Sequence, residues 1–110
     1  MPQFKLIVLS NAVEGREDEF NDWYTNTHLA DVVRVPGIVS AQRFHCTAVQ
    51  RDAGKQPWQY MAIYECDADN VQQVIDNIGA RAGTPEMPIS SAMAETHYAC
   101  FFEAITGVIR

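Results

Sequence analysis

The order of apolar segments along the chain is the feature that most constrains its fold. Two stretches with helical apolar spacing alternate with four short β-rich stretches, in the order β-α-β-β-α-β. The predicted strands cover residues 4–11, 38–47, 58–66 and 97–109, and the predicted helices start near residues 15 and 67. This order predicts a ferredoxin-like α+β fold, in which a four-stranded antiparallel sheet carries two helices on one face.

The predicted strands are apolar on both faces, although two helices can cover only one of them. The third strand places Tyr60, Ala62 and Tyr64 on one side, and Met61 and Ile63 on the other. A large exposed apolar face usually marks an interaction surface, and a second copy of the sheet in a symmetric dimer is the simplest cover. We therefore predict a homodimer in which the third and fourth strands are buried on both faces.

Local signals indicate where the two helices begin and end. Acidic residues from Glu17 onward favour a helix start, because they complement the positive end of the helix dipole. The first helix should end before Pro36-Gly37, since a residue preceding proline avoids the helical region. Either Asp67 or Asp69 is expected to cap the start of the second helix.

Length, charge and cysteine content limit the class of protein. The 110 residues suit one domain spanning residues 1–110. A formal net charge of −6 argues against binding of nucleic acid or of an anionic membrane surface. The first apolar run is too short to span a membrane and lacks a signal-peptide pattern. The three cysteines have no metal-binding spacing and are predicted to be free core thiols in strands, which fits a cytoplasmic location: Cys46, Cys66 and Cys100.

The predicted first helix carries the residue best suited to chemistry. His28 lies on a stripe with Phe20, Tyr24, Thr27 and Asp31 at three- and four-residue spacing, on the side that should face the sheet. Imidazole titrates near neutral pH and is therefore a candidate catalytic proton carrier. The carboxylate of Asp31, three residues later, is placed to orient the His28 ring and to contact substrate.

Further candidates for substrate binding are aromatic or cationic. Tyr60 and Tyr64 share one face of the third strand, where their hydroxyls suit a carbonyl or phenolate oxygen. Arg43 in the second strand suits a carboxylate. Trp23 and Tyr24 are the expected pocket wall beside His28.

Each of these residues also has a structural interpretation. In that interpretation His28 is a hydrogen-bonded core residue, Asp31 caps a restarted helical turn, Arg43 lies at the surface, and the aromatic residues are core. His45 and His97 stand in no metal-ligand spacing with His28, and glycine-rich phosphate loops are absent. The sequence therefore predicts neither a metal nor another cofactor.

Several segments resemble the EthD-like branch of the dimeric α+β barrel superfamily. They are Glu14-Gly15-Arg16-Glu17-Asp18-Glu19-Phe20, Trp23-Tyr24, His28-Leu29 and Pro36-Gly37. The resemblance implies a homodimer whose two sheets close into a barrel, with a cleft between helices and sheet in each subunit. Relatives include cofactor-independent polyketide cyclases, muconolactone-type isomerases, and haem-degrading or quinone-forming monooxygenases. In several lyase- and isomerase-like relatives, a first-helix histidine at the position of His28, before Pro-Gly, transfers protons.

The sequence departs from these relatives at two places. Ala41, Gln42 and Arg43 stand where isomerase relatives can place a tyrosine, and Ala30 stands where many EthD-like sequences have proline. Our hypothesis is a small-molecule-binding homodimer that acts as a cofactor-independent isomerase, cyclase or lyase on a small aromatic or polyketide-like acid, with His28 as proton shuttle. The alternatives are a non-catalytic accessory or ligand-binding EthD-like protein, and a haem-binding monooxygenase.

Overall fold

The computed structural model describes residues 3–110 and contains one four-stranded sheet with helices on one face. The strands are β1 (Phe4–Ser10), β2 (Ile38–His45), β3 (Tyr60–Cys66) and β4 (Tyr98–Glu103). The helices are α1 (Glu17–Trp23), α2 (Leu29–Val33) and α3 (Val71–Arg81), and a π-helical segment (Tyr24–His28) joins α1 to α2. All neighbouring strands are antiparallel, in the order β2-β3-β1-β4. The predicted ferredoxin-like α+β fold is confirmed.

The core lies between the helices and one face of the sheet. Leu6 at the centre of β1 pairs with Tyr64 of β3 and with Phe101 of β4, and Phe20 and Val74 pack onto this face from the helices. Burying large apolar side chains stabilises the fold by roughly 1.5–3 kcal/mol each. The fully buried residues with the largest side chains come from α1, the π-helical segment, β3 and the segment after α3: Phe20, Tyr24, Tyr64 and Met87.

The opposite face of the sheet is also apolar, and no described element of the single chain covers it. We call it the outer face and define it by Ile7, Leu9, Met61, Ile63 and Phe102. Ile7 pairs with Ile63 and Leu9 with Met61 across β1 and β3. Phe102 is 51% exposed. The prediction that the central strands carry apolar side chains on both faces is confirmed.

The fourth strand is shorter than predicted. It ends at Glu103 because Glu103 pairs with Phe4, the first residue of β1. Beyond that pair, the Ala104 backbone N–H still donates to the Gln3 carbonyl at 2.8 Å, but neither residue belongs to a strand. Ile105, predicted to lie in the strand, is instead 95% exposed.

The connection between the second and third strands is longer than predicted. Their ladder ends at the pair His45–Tyr60, so Thr47 and Trp58 lie outside the strands. Cys46 also lies beyond β2 and is half-buried, so its prediction as a core residue of a strand is wrong. Cys66 is buried as predicted, whereas Cys100 is half-buried in β4 and pairs with Ile7 of the outer face.

The cap of α3 differs from the prediction, while the Pro-Gly turn has the predicted effect. Asn70, rather than Asp67 or Asp69, caps α3 by accepting a hydrogen bond from the Gln72 backbone N–H at 2.7 Å. Asn70 has the extended backbone of a cap residue immediately before the helix. After α2, Gly37 has φ 99°, and a Cβ there would meet a Val74 side-chain carbon at 2.9 Å. Glycine is therefore required both by the turn and by the approach of α3.

Candidate functional site

The π-helical segment determines which residues of the first helical region face the sheet. The Leu29 backbone N–H donates to the Tyr24 carbonyl, a five-residue spacing that replaces the four-residue spacing of an α-helix. This extra residue shifts the following residues by roughly 100° around the axis. Thr27 is consequently exposed, which corrects its predicted place on the buried stripe, and Val32 is buried.

His28 is held in an aromatic environment and is only 9% exposed. Its ring stacks on Trp23 at a centroid distance of 4.5 Å and an interplanar angle of 25°. The Tyr24 ring meets it edge to face at 4.8 Å. The Trp23–His28 stack spans five residues, the spacing that the π-helical segment creates. Two aromatic neighbours therefore fix the orientation of the imidazole.

The electrostatic surroundings of His28 favour its neutral form. The pKa of His28 is lowered to about 4, chiefly by burial; the Asp31 carboxylate raises it in part, and the Arg43 charge adds to the lowering. Nδ1 of His28 is buried and has no hydrogen-bond partner in the described part of the chain. At neutral pH the ring is uncharged and keeps hydrogen-bonding capacity for another molecule.

Asp31 lies near His28 but does not bind its ring directly. Its Oδ1 accepts a hydrogen bond from Arg34 Nη1 at 2.8 Å. Its Oδ2 is buried and, among residues 3–110, has no partner. A carboxylate in this position stabilises a protonated imidazole through its charge.

An apolar cavity of about 230 Å³ lies between the helices and the sheet, beside His28. Tyr24 and Tyr64 bring the other polar atoms of the buried wall, and their hydroxyl oxygens lie 2.9 Å apart. Burial raises the pKa of both phenols, so both are protonated at neutral pH. The remaining wall is almost entirely aliphatic or aromatic: Leu6, Val8, Val32, Ile75, Ile78, Ala82, Met87, Met93, Ala99 and Phe101, with His97 at its exposed side.

The predicted site residues separate into two groups. Tyr24, His28 and Tyr64 line the cavity, with Trp23 behind the imidazole. Arg43 and Tyr60 instead line a groove of about 430 Å³ at the ends of β2 and β3. The guanidinium of Arg43 lies 4.6 Å above the Tyr24 ring, so this ring stands beside both groups.

Several cavity residues were not predicted from the sequence. Met87 and Met93 belong to the irregular segment between α3 and β4, where no helical or strand periodicity indicates a direction. Met87 is 1% exposed and lines the cavity together with Ala99 and His97. The only sequence signal for this wall is the occurrence of large apolar residues in an otherwise Pro-containing loop.

The described residues offer no cluster of three or more His, Cys, Asp or Glu side chains that would hold a metal ion. Within residues 3–110, none of the helices is both long and apolar enough to cross a bilayer.

The structure is a ferredoxin-like α+β domain with an apolar cavity between helices and sheet. The chain is similar in structure to an EthD family protein from Bacillus halodurans, with a TM-score of 0.60 and 17% identity over 94% of this chain and 99% of that one. It is also similar to a candidate antibiotic biosynthesis monooxygenase from Nitrosomonas europaea (TM-score 0.63, 11% identity, 94% and 90% covered).

A third similar structure is a candidate monooxygenase from Shewanella loihica (TM-score 0.62, 13% identity, 97% and 99% covered). These likenesses concern the fold, and the predicted resemblance to EthD-like proteins is confirmed for the fold alone. No protein-family model matches the chain, and no curated protein matches it.

Proposed function

We propose that the cavity binds a small, largely apolar molecule and that His28 moves a proton on it, as in a cofactor-independent isomerase, cyclase or lyase. The observation that carries the proposal is a neutral imidazole whose buried Nδ1 has no hydrogen-bond partner among residues 3–110, beside an apolar cavity whose other buried polar groups are two phenols. Binding sites of this kind combine an apolar lining with a few placed polar groups.

The arrangement suits removal of a proton next to a carbonyl group. Neutral His28 accepts the proton from carbon and becomes an imidazolium, which the nearby Asp31 carboxylate stabilises. One of the Tyr24 and Tyr64 hydroxyls donates its hydrogen to the oxygen of the other. The accepting hydroxyl therefore keeps its own O–H to donate to the enolate oxygen. Return of the proton from His28 to a different carbon completes an isomerisation, and loss of a leaving group completes a lyase reaction.

The size and lining of the cavity limit the ligand. A volume of about 230 Å³ is smaller than the roughly 300–1,000 Å³ of pockets for drug-sized ligands. One ring with one or two polar groups fits this limit. Phenylacetone is a suitable probe, because it has an apolar ring, one carbonyl oxygen and hydrogens that exchange slowly in water.

Filling the cavity is expected to abolish catalysed hydrogen–deuterium exchange on phenylacetone in D₂O, followed by proton NMR. Ala99 lines the cavity, and Ala99→Phe would occupy the space that the probe needs. Ala80→Phe, on the exposed surface of α3, is the matched control and should leave the exchange unchanged. Binding of the probe without any exchange would favour the non-catalytic ligand-binding alternative. Equal exchange by both variants would contradict the proposed site.

We also propose that the outer face pairs with the outer face of a second copy. Ile63 lies at its centre, paired with Ile7 of β1 and Gln42 of β2. Light scattering should give twice the chain mass for the native protein. Ile63→Glu should give the mass of a single folded chain, because a dimer would bury its carboxylate in an apolar interface. Gln73→Glu, at an exposed position of α3, should remain dimeric. If the native protein has the mass of one chain at micromolar concentration, the proposed pairing is wrong.

A further inference from the structure

Arg43 is fixed in place by neutral partners. Its Nη1 donates to Thr25 Oγ1 at 2.8 Å and its Nη2 donates to Asn21 Oδ1 at 2.9 Å. Asn21 in turn donates to the Tyr60 hydroxyl at 3.1 Å. The guanidinium carbon lies 4.6 Å from the centre of the Tyr24 ring. A cation over aromatic faces and between side-chain oxygens is held in one orientation.

The charge of Arg43 has no anionic partner in the described part of the chain. Arg16, Arg34 and Arg81 each pair with a carboxylate, and Arg43 does not. The residue is half-buried, and burial lowers the pKa of its guanidinium, which nevertheless stays charged. A partly desolvated cation without a counter-ion is unfavourable, so binding of an anion would be favoured at this position.

The surface around Arg43 forms a groove of about 430 Å³. The groove is bordered by Asn21, Phe44, His45, Cys46, Gln59 and Tyr60, of which Phe44 pairs with Met61 and therefore points its side chain to the outer face. None of these six residues lines the His28 cavity. The groove therefore offers hydrogen bonds for an anionic group and apolar surface for the carbon skeleton that bears it.

We propose that this groove binds a small organic carboxylate, at a site separate from the cavity of His28. A guanidinium has five N–H donors, of which Thr25 and Asn21 engage two. The remaining donors suit a planar carboxylate, and such charge-assisted bonds are stronger than neutral ones. The Tyr60 ring is placed to contact the organic part. The proposal does not depend on the function proposed for His28.

A titration with benzoate, followed by nitrogen–proton NMR of the side chains of Arg43, Asn21 and Gln59, tests this site. Benzoate is expected to give saturable shifts at these groups. Benzamide, which has the same shape without the charge, is expected to give none. Arg43→Gln should weaken benzoate binding at least about tenfold, and Arg43→Lys should retain an intermediate affinity because it keeps the charge without the fork.

A second variant guards against a folding defect in Arg43→Gln. Gln59→Glu would place a carboxylate in the same groove and should weaken benzoate binding by charge repulsion while keeping the fold, because Gln59 is exposed. Ala99→Phe, which fills the other cavity, should leave benzoate affinity unchanged. Equal responses to benzoate and benzamide, or unchanged affinity in folded Arg43→Gln, would overturn the proposal. Loss of benzoate binding in Ala99→Phe would show that the two sites are one.

Discussion

Replacing His28 by glutamine is expected to lower the rate of catalysed exchange on phenylacetone by about 10²–10⁴-fold, the usual contribution of a general base. Glutamine keeps hydrogen-bonding capacity but takes up no proton. His97→Gln is the matched control, since His97 lines the same cavity from an exposed position. It should change the rate by less than about threefold, because His97 is an exposed residue at the cavity edge, outside the buried group of His28, Tyr24 and Tyr64 to which the proton transfer is assigned.

The pH dependence of the same two proteins provides an independent check. Neutral imidazole is the active form, so exchange should be level near neutral pH and fall as the pH is lowered through about 4, the pKa of His28. This acid limb should disappear in His28→Gln. An unchanged pH profile in the variant would assign the proton transfer to a different group.

The pKa of His28 also makes stability depend on pH. The folded-state value of about 4 lies below the ordinary value of 6.5, so the unfolded chain binds this proton more tightly. The contribution of neutral His28 to the free energy of unfolding is complete above pH 6.5 and is lost as the pH falls toward 4. The free energy of unfolding should decrease by roughly 3 kcal/mol across this window. Urea unfolding of His28→Gln should lack this component, and an identical pH dependence in both proteins would exclude a buried neutral His28.

Two single-residue deletions in the first helical region are expected to differ in activity: one should preserve the exchange reaction and the other should lower it. Either deletion removes the extra residue of the π-helical segment and allows a continuous α-helix. In both, Val32 stays on the buried side with Phe20 and Tyr24, so both should fold with native helix content by circular dichroism. The deletions differ in the helical positions of residues 27–30, and above all in where they leave His28.

Deleting Thr27 keeps His28 on the cavity side, four residues after Trp23, and should preserve exchange within about tenfold. Deleting Ala30 leaves His28 five residues after Trp23 in a regular α-helix, roughly 140° away around the axis, so the Trp23–His28 stack is lost and Thr27 moves to the buried side. Exchange should then fall to the level of His28→Gln. Thr27 and Ala30 are both exposed, so neither deletion removes a core side chain. Equal activity of the two folded variants would show that the π-helical segment does not position His28.

The sequence by itself determined the features that depend on local periodicity. Alternation along the central strands predicted both faces of Tyr60–Cys66, because successive side chains of a strand must point to opposite sides. Pro36-Gly37 predicted the end of the first helical region, because proline and a left-handed glycine restrict the backbone whatever surrounds them. Trp23, Tyr24 and His28 were predicted as neighbours because they lie close together on one short helical stretch.

The tertiary structure decided which of these neighbours form a site. Helical periodicity placed Thr27 on the buried stripe, but the π-helical segment turns it outward, because α1 and α2 must both pack onto the same sheet. Arg43 and His28 were predicted in one pocket. In the structure Arg43 lines the groove and His28 lines the cavity, and the Tyr24 ring stands beside both. The far wall comes from Met87 and an irregular segment, whose direction is set by long-range packing. Such contacts join residues distant in sequence, and local patterns carry no information about them.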